Sequence, residues 1–267
     1  SEAWKAIRAD RVIFLSVLGS VYFWFTVSLL GQDILVYSKA LTRDWANSDT
    51  FSGIPLAFYG IGVGMGSLWA GRISGHLVEY GLIPLGAMGI AFFSVLFSIL
   101  GPGYVATLIV MIFLGISSGL VVVPLDAILQ WRSPADRRGG IIALANVFVF
   151  TGIMFGSLGA GGMAAMGMST QTILMLSAIF TVGGTAWAIW LLPEFLIRLI
   201  FVILAQTFYR LTIVGSENVP REGGAILVPN HVSFIDSFLV MASTHRPVRF
   251  IVDAVYYYNF WLYPLMK

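Results

Sequence analysis

Four polar residues near the end of the chain have types and spacing suited to acid–base chemistry. Asn230, His231, Ser233 and Asp236 lie in the stretch VPNHVSFID, which begins at the end of a short apolar run. If Asp236 hydrogen-bonds one ring nitrogen of His231, the other nitrogen can act as a general base toward a hydroxyl group. Ser233-x-x-Asp236 also fits the capping box that begins a helix. The capping box explains Ser233 and Asp236 but not His231.

The elements that precede this stretch are expected to lie in a membrane. Hydrophobic residues make up 58% of the chain and charged residues only 10%, whereas about 25% of residues are charged in ordinary soluble domains. A membrane-spanning helix needs about 20 mostly apolar residues. Six stretches meet this length and are predicted to form an all-α bundle: Val12–Leu30, Phe51–Gly71, Leu82–Leu100, Tyr104–Leu125, Ile141–Ala165 and Gln171–Leu192.

The basic residues of the short loops predict how this bundle is oriented. One side carries seven: Lys5, Arg8, Arg11, Arg72, Arg132, Arg137 and Arg138. The other side carries only Lys39 and Arg43, diluted by nearby acidic residues, among them Asp33. Because Lys and Arg are retained on the cytoplasmic side, we expect both the N-terminus and the C-terminal segment to be cytoplasmic.

Polar and small residues inside the spans are candidates for function or for packing. Arg72, Asp126 and Asn146 lie at or near membrane depth, where polar groups usually face the protein interior or a water-filled path. Asp126 could instead be an interfacial residue paired with Arg132. Small residues recur every four positions in the second and fifth spans, which favours close helix packing: Gly60, Gly62, Gly64, Gly66, Gly152, Gly156 and Ala160.

The segment after the sixth span changes in character. Phe195–Leu211 is apolar but contains Arg198 and Arg210. A further span is possible, but the arginines favour a helix in the membrane interface with both side chains reaching the phosphates. Two β-like runs, Leu211–Val214 and Ala225–Val228, and a helix-like stretch at Phe234–Ala242 then predict the start of a strand–helix domain. We therefore expect a transporter-like part at 1–193, a linker helix at 194–211 and a second, truncated domain at 212–267.

Two loops of the membrane part resemble known transporters. Gly66–Gly75, a glycine-framed loop with a basic residue, is similar to the loop motif of the major facilitator superfamily, although Gly71 stands where that motif has an acidic residue. Val122–Pro134, followed by Arg137-Arg138-Gly139 and Asn146, resembles the lysophospholipid transporter branch. Members have twelve spans in two halves. The resemblance implies that this chain holds one half, with the other supplied in cis or by a second copy.

The histidine motif resembles a family of enzymes. Asn230-His231-x-Ser233-x-x-Asp236, with the lead-in Gly215-x-Glu217-Asn218-Val219-Pro220, is similar to the first motif of the glycerolipid acyltransferases of the 1-acylglycerol-3-phosphate type. The resemblance implies that His231 deprotonates a lysophospholipid hydroxyl, which attacks an acyl thioester of acyl carrier protein or coenzyme A. Asp236 would orient His231, and Asn230 and Ser233 would contact the substrate. The family's later substrate-binding blocks are not found.

The order of the two parts resembles a bacterial fusion of a lysophospholipid transporter and an acyltransferase, which implies a two-activity protein of the inner membrane that imports lysophospholipid and reacylates it. The alternatives are a membrane-anchored acyltransferase without transport and a transporter with a non-catalytic tail. No metal or cofactor and no nucleic-acid partner are expected, and the absence of cysteine excludes a cysteine acyl-enzyme. We expect the chain to be an excerpt of a longer fusion, inactive in acyl transfer by itself. His76 and His245 are expected to be solvated.

Overall fold

The computed structural model divides the chain into two compact units, Ser1–Leu192 and Pro193–Lys267. It describes residues 2–75, 78–209, 211–215, 218–220, 223–230, 232–233, 235–244 and 248–251. His76, Arg210, His231 and His245 therefore lie outside the described residues. The two units are described separately below.

The first unit is a bundle of helices. Its elements are α1 (Glu2–Ala9), α2 (Arg11–Leu41), α3 (Ser48–Ser74), α4 (Leu82–Leu100), α5 (Tyr104–Arg132), α6 (Arg138–Ala165) and α7 (Thr170–Leu191). The last six are long and apolar enough to cross a membrane, which confirms the six predicted spans. The first is longer than predicted, because α2 continues past Leu30 to Leu41.

Local sequence signals set where several of these helices begin and end. The Asp10 carboxylate accepts hydrogen bonds from the backbone N–H groups of Val12 (2.8 Å) and Ile13 (3.2 Å), so Asp10 caps the start of α2. Ser169 caps α7 in the same way through Thr172 N–H. Gly101 ends α4 at φ 52°, a left-handed conformation that suits glycine.

Helices α2 and α5 form the centre of the bundle. Helix α5 packs against α2, α3 and α4, while α2 also packs against α3, α6 and α7. Their shared core is apolar and draws on α2, α4, α5 and α7. Its buried members include Phe23, Leu30, Phe97, Met111, Leu114, Leu125 and Leu174.

Glycines determine how closely α3 approaches α5. A Cβ added at Gly62 would meet the carbonyl oxygen of Ile112, and one at Gly66 would meet the carbonyl oxygen of Ile116. Gly60 and Gly64 have nothing within 4 Å of such a Cβ. Of the two predicted small-residue pairs on α3, therefore, only Gly62/Gly66 packs against another helix of the described bundle.

The second unit contains α8 (Pro193–Tyr209) and α9 (Ile235–Ser243), which pack against each other. The rings of Phe201 and Phe238 meet with centroids 4.5 Å apart. Helix α8 corresponds to the predicted linker helix, and α9 to the helix-like stretch predicted at Phe234–Ala242.

The prediction that Arg198 reaches the membrane phosphates is wrong. Its side chain is buried, and Nε donates a hydrogen bond of 2.6 Å to the carbonyl oxygen of Thr244, directly after α9. The negative end of a helix dipole stabilises a cation at this position. Arg198 therefore joins α8 to α9 within the second unit.

The predicted strands are not formed in the described part of the second unit. Leu211–Val214 and Ala225–Val228 contain no strand among the residues described there. Val214, Ile226 and Val228 are 88% to 90% exposed. A strand requires hydrogen bonds to a neighbouring strand, and no described segment supplies them.

Candidate functional site

The start of α9 positions the predicted catalytic aspartate. Oδ2 of Asp236 accepts hydrogen bonds from the backbone N–H groups of Val232 (2.6 Å) and Ser233 (2.8 Å). Ser233 Oγ accepts a longer bond of 3.4 Å from Ile235 N–H. These contacts form the capping box that the sequence predicts. The carboxylate is thus fixed at the N-terminus of α9, folded back over the residues that follow His231.

Of the other three motif residues, the structure describes Asn230 and Ser233. Asn230 and Ser233 are exposed, which suits substrate contacts, while His231 lies outside the described residues. The structure therefore leaves the predicted His231–Asp236 pair untested. A carboxylate held over the chain next to His231 could orient its imidazole as well as cap the helix.

One end of the bundle holds α1, the α3–α4 link and the α5–α6 link, and we call it the basic end. The second candidate site lies there. A groove of about 440 Å³ opens there. It joins the two stretches that resemble transporter motifs, since Gly71, Ser74 and Gly75 line it from one side and Val123 and Trp131 from the other. Arg138, at the start of α6, completes the lining.

Ion pairs surround this end of the bundle. Nε of Arg132 contacts Oδ2 of Asp10 at 2.8 Å, so the alternative pairing of Arg132 with Asp126 is not formed. Tyr80 lies beside this pair, and burial raises the pKa of its hydroxyl; the Arg132 cation opposes this and the Asp10 carboxylate adds to it. The hydroxyl therefore remains protonated next to the pair.

The structure shows no direct contact between the three predicted transport residues, all of which are described. Arg72 on α3, Asp126 on α5 and Asn146 on α6 are all exposed. No hydrogen bond or ion pair joins any two of them in the described part of the chain. Arg72 and Asp126 do lie next to the groove, because their chain neighbours Gly71 and Ala127 line it.

Sequence reasoning missed one ionisable residue inside a span. Asp33 was assigned to a loop, but it lies within α2 and is only 4% exposed. Its Oδ2 is buried without a hydrogen-bond partner among the described residues. Leu30 and Tyr37, one turn away on either side, belong to the apolar core or pack against it. The apolar run Ile34-Leu35-Val36 just after Asp33 was the signal that the helix continues.

Six packed apolar spans define the class: a multi-pass membrane protein. Residues 1–157, more than half of the chain, match the family model of the Major Facilitator Superfamily, and the chain belongs to that superfamily. Residues 210–267 match the Acyltransferase family model. The predicted order, a major facilitator part followed by an acyltransferase part, is thereby confirmed. No curated protein and no solved structure matches the chain.

Proposed function

We propose that the protein imports lysophospholipid across the bacterial inner membrane and reacylates it from a thioester donor on the cytoplasmic face. The observation that carries this proposal is the pair of family matches in one chain, a transporter followed by an acyltransferase. A lysophospholipid would serve both parts, since it is both a lipid to be moved and an acyl acceptor.

The charge distribution supports the proposed direction of import. The seven basic residues at the basic end favour a cytoplasmic location for that end and for both termini. Acyl thioesters of acyl carrier protein or coenzyme A are made in the cytoplasm, so imported lysophospholipid would meet its donor on that side.

In the proposed reaction, His231 removes the proton of the free glycerol hydroxyl while that oxygen attacks the thioester carbonyl. The thiol leaves with a proton, and the new ester completes a diacyl phospholipid. Asp236 holds the imidazole in position and balances its charge when it is protonated. Asn230 and Ser233, both exposed, are proposed to contact the substrate.

We assign residues 1–193 to the transporter half, 194–211 to the linker helix and 212–267 to the acyltransferase domain. The apolar side chains of Ile200, Ile203 and Leu204 are exposed on α8, which supports its association with the membrane interface. The six spans are proposed to work with a second six-span half, in cis or from another copy.

The capping box supports a competing function. Because Asp236 already accepts two backbone N–H groups, the motif could serve only to begin α9, and the domain would then be a non-catalytic tail of a transporter. An enzyme that is merely anchored by its spans is the remaining alternative. It differs from our proposal in predicting no lysophospholipid uptake.

The test is acyl transfer to lysophospholipid by the intact protein carrying His231→Ala. Loss of a general base is expected to lower the rate by about 10²–10⁴-fold. His245→Ala is the matched control, and we expect it to retain the wild-type rate. Acyl transfer that survives His231→Ala would remove the catalytic assignment and favour the non-catalytic tail.

A further inference from the structure

The groove at the basic end has the chemistry of a binding site for a phosphate-bearing lipid. Its polar lining consists of Ser74, Gln130 and Arg138, and its apolar lining includes Val78, Val123 and Trp131. No carboxylate is among the described residues that line it. Among the described residues, the groove therefore offers one cation, neutral hydrogen-bonding groups and hydrocarbon surface side by side.

The three arginines in or next to the α5–α6 link differ in whether a carboxylate already neutralises them. Arg132 pairs with Asp10 at 2.8 Å, and Arg137 pairs with Asp136 at 3.2 Å and Glu2 at 3.5 Å. Arg138 forms no ion pair in the described part of the chain.

Among the described residues, Arg138 makes a single weak hydrogen bond of its own. Its Nη2 donates to the carbonyl oxygen of Ser133 at 3.4 Å. A guanidinium has five N–H donors, so most of its hydrogen-bonding capacity is available to a ligand. Of these three arginines, the one without an ion pair in the described part of the chain is thus the one that lines the groove.

Arginine's planar fork matches the oxygens of a phosphate, which it can hold with two parallel hydrogen bonds. The amide of Gln130 and the hydroxyl of Ser74 can donate further hydrogen bonds to phosphate or glycerol oxygens. Apolar surface next to these groups removes an attached acyl chain from water. Free phosphate would use only the polar part of the lining.

We propose that this groove binds a lysophospholipid, with Arg138 on the phosphate and the acyl chain along Val123 and Trp131. The choice of lysophospholipid rests on the function proposed above, whereas the phosphate and the chain follow from the lining itself. The groove would hold the lipid at the basic end of the transporter unit. Arg138 is a residue that the sequence motifs alone did not assign.

The experiment measures binding of lysophosphatidylglycerol with a brominated acyl chain to the intact protein in detergent, through quenching of tryptophan fluorescence. Arg138→Gln should weaken binding about tenfold or more, since it removes a charge-assisted, two-pronged contact. Arg137→Gln removes the same charge one residue away and should change affinity less than about twofold, because Arg137 is already paired. Trp131→Phe should remove much of the quenching.

Two further ligands and one further variant identify what the groove recognises. Brominated monoacylglycerol, which lacks the phosphate, should bind weakly and equally to wild type and Arg138→Gln. Inorganic phosphate should compete only at far higher concentration than the lipid. Arg138→Lys keeps the charge but not the fork, and it should bind with intermediate affinity.

Equal weakening by Arg137→Gln and Arg138→Gln would overturn the proposal, because it would show a response to net charge alone. Quenching that is unchanged in Trp131→Phe would overturn it too, since the lipid would then lie elsewhere. Binding is measured without transport or acyl transfer. If the protein binds the lipid as predicted but neither imports nor acylates it, the proposed function fails while the groove assignment stands.

Discussion

In the bundle, glycines of α3 pack directly against the backbone of α5. In the second unit, α8 and α9 instead make contact through large and charged side chains. Gly62 and Gly66 leave no room for a Cβ against the carbonyl groups of α5. In the second unit, the Phe201 and Phe238 rings and the hydrogen bond from Arg198 to the end of α9 make the contact.

We expect this difference because α3 and α5 are candidate membrane spans, whereas α8 and α9 are not. Between helices in a membrane there is little hydrophobic driving force, so close packing of small residues has to supply the attraction. A short two-helix contact outside the spans can instead use aromatic burial and charge-assisted hydrogen bonds. The two units should therefore be damaged by different substitutions, each with its own readout.

Of these substitutions, Asp236→Asn should distinguish the two units most clearly, because it should affect the activity of only one of them. The amide oxygen can still accept backbone N–H groups at the start of α9, so the helix should persist, but the negative charge proposed to orient His231 is lost. Acyl transfer should fall between about ten- and 10⁴-fold. Transport of lysophospholipid by the same variant should be unchanged.

Asp236→Ala is the comparison variant for this prediction. It removes the cap as well as the charge and should destabilise the start of α9 by about 1 kcal/mol. If Asp236→Asn keeps full acyl transfer while Asp236→Ala loses it, Asp236 serves only as a cap. The comparison of rates and of helix content decides between the two roles.

Gly66→Ala should give a smaller effect, confined to the bundle. A methyl group there meets the backbone of Ile116, so α3 and α5 have to move apart at a cost of about 1–3 kcal/mol. Thermal unfolding of the purified protein in detergent measures this loss. Gly64→Ala is the control on the same helix, with nothing within 4 Å, and should lie within about 0.5 kcal/mol of wild type. Equal destabilisation by both substitutions would contradict the assigned packing.

The sequence alone was sufficient to predict the spans because a membrane imposes length and hydropathy on each one. Those same criteria placed Asp33 in a loop, since a charged residue normally ends an apolar run. Length and hydropathy alone do not predict that α2 continues past a residue with a buried carboxylate.

The second unit was harder to predict because its side chains have more than one possible partner. The pattern around Ser233 and Asp236 predicted the start of α9 correctly, since capping is a local interaction. Arg198 was assigned to the lipid surface because its partner, the Thr244 carbonyl, is distant in sequence. The groove at the basic end was missed for the same reason, as its lining comes from three helices and a link.

The most direct test of the account uses the intact protein in liposomes that enclose an acyl thioester, with labelled lysophospholipid added outside. We predict that wild-type protein converts the label to diacyl phospholipid. In His231→Ala, the label should become protected from extraction by albumin but remain lysophospholipid. Label that stays extractable with wild-type protein would contradict import, and diacyl product formed by His231→Ala would contradict the catalytic role of that histidine.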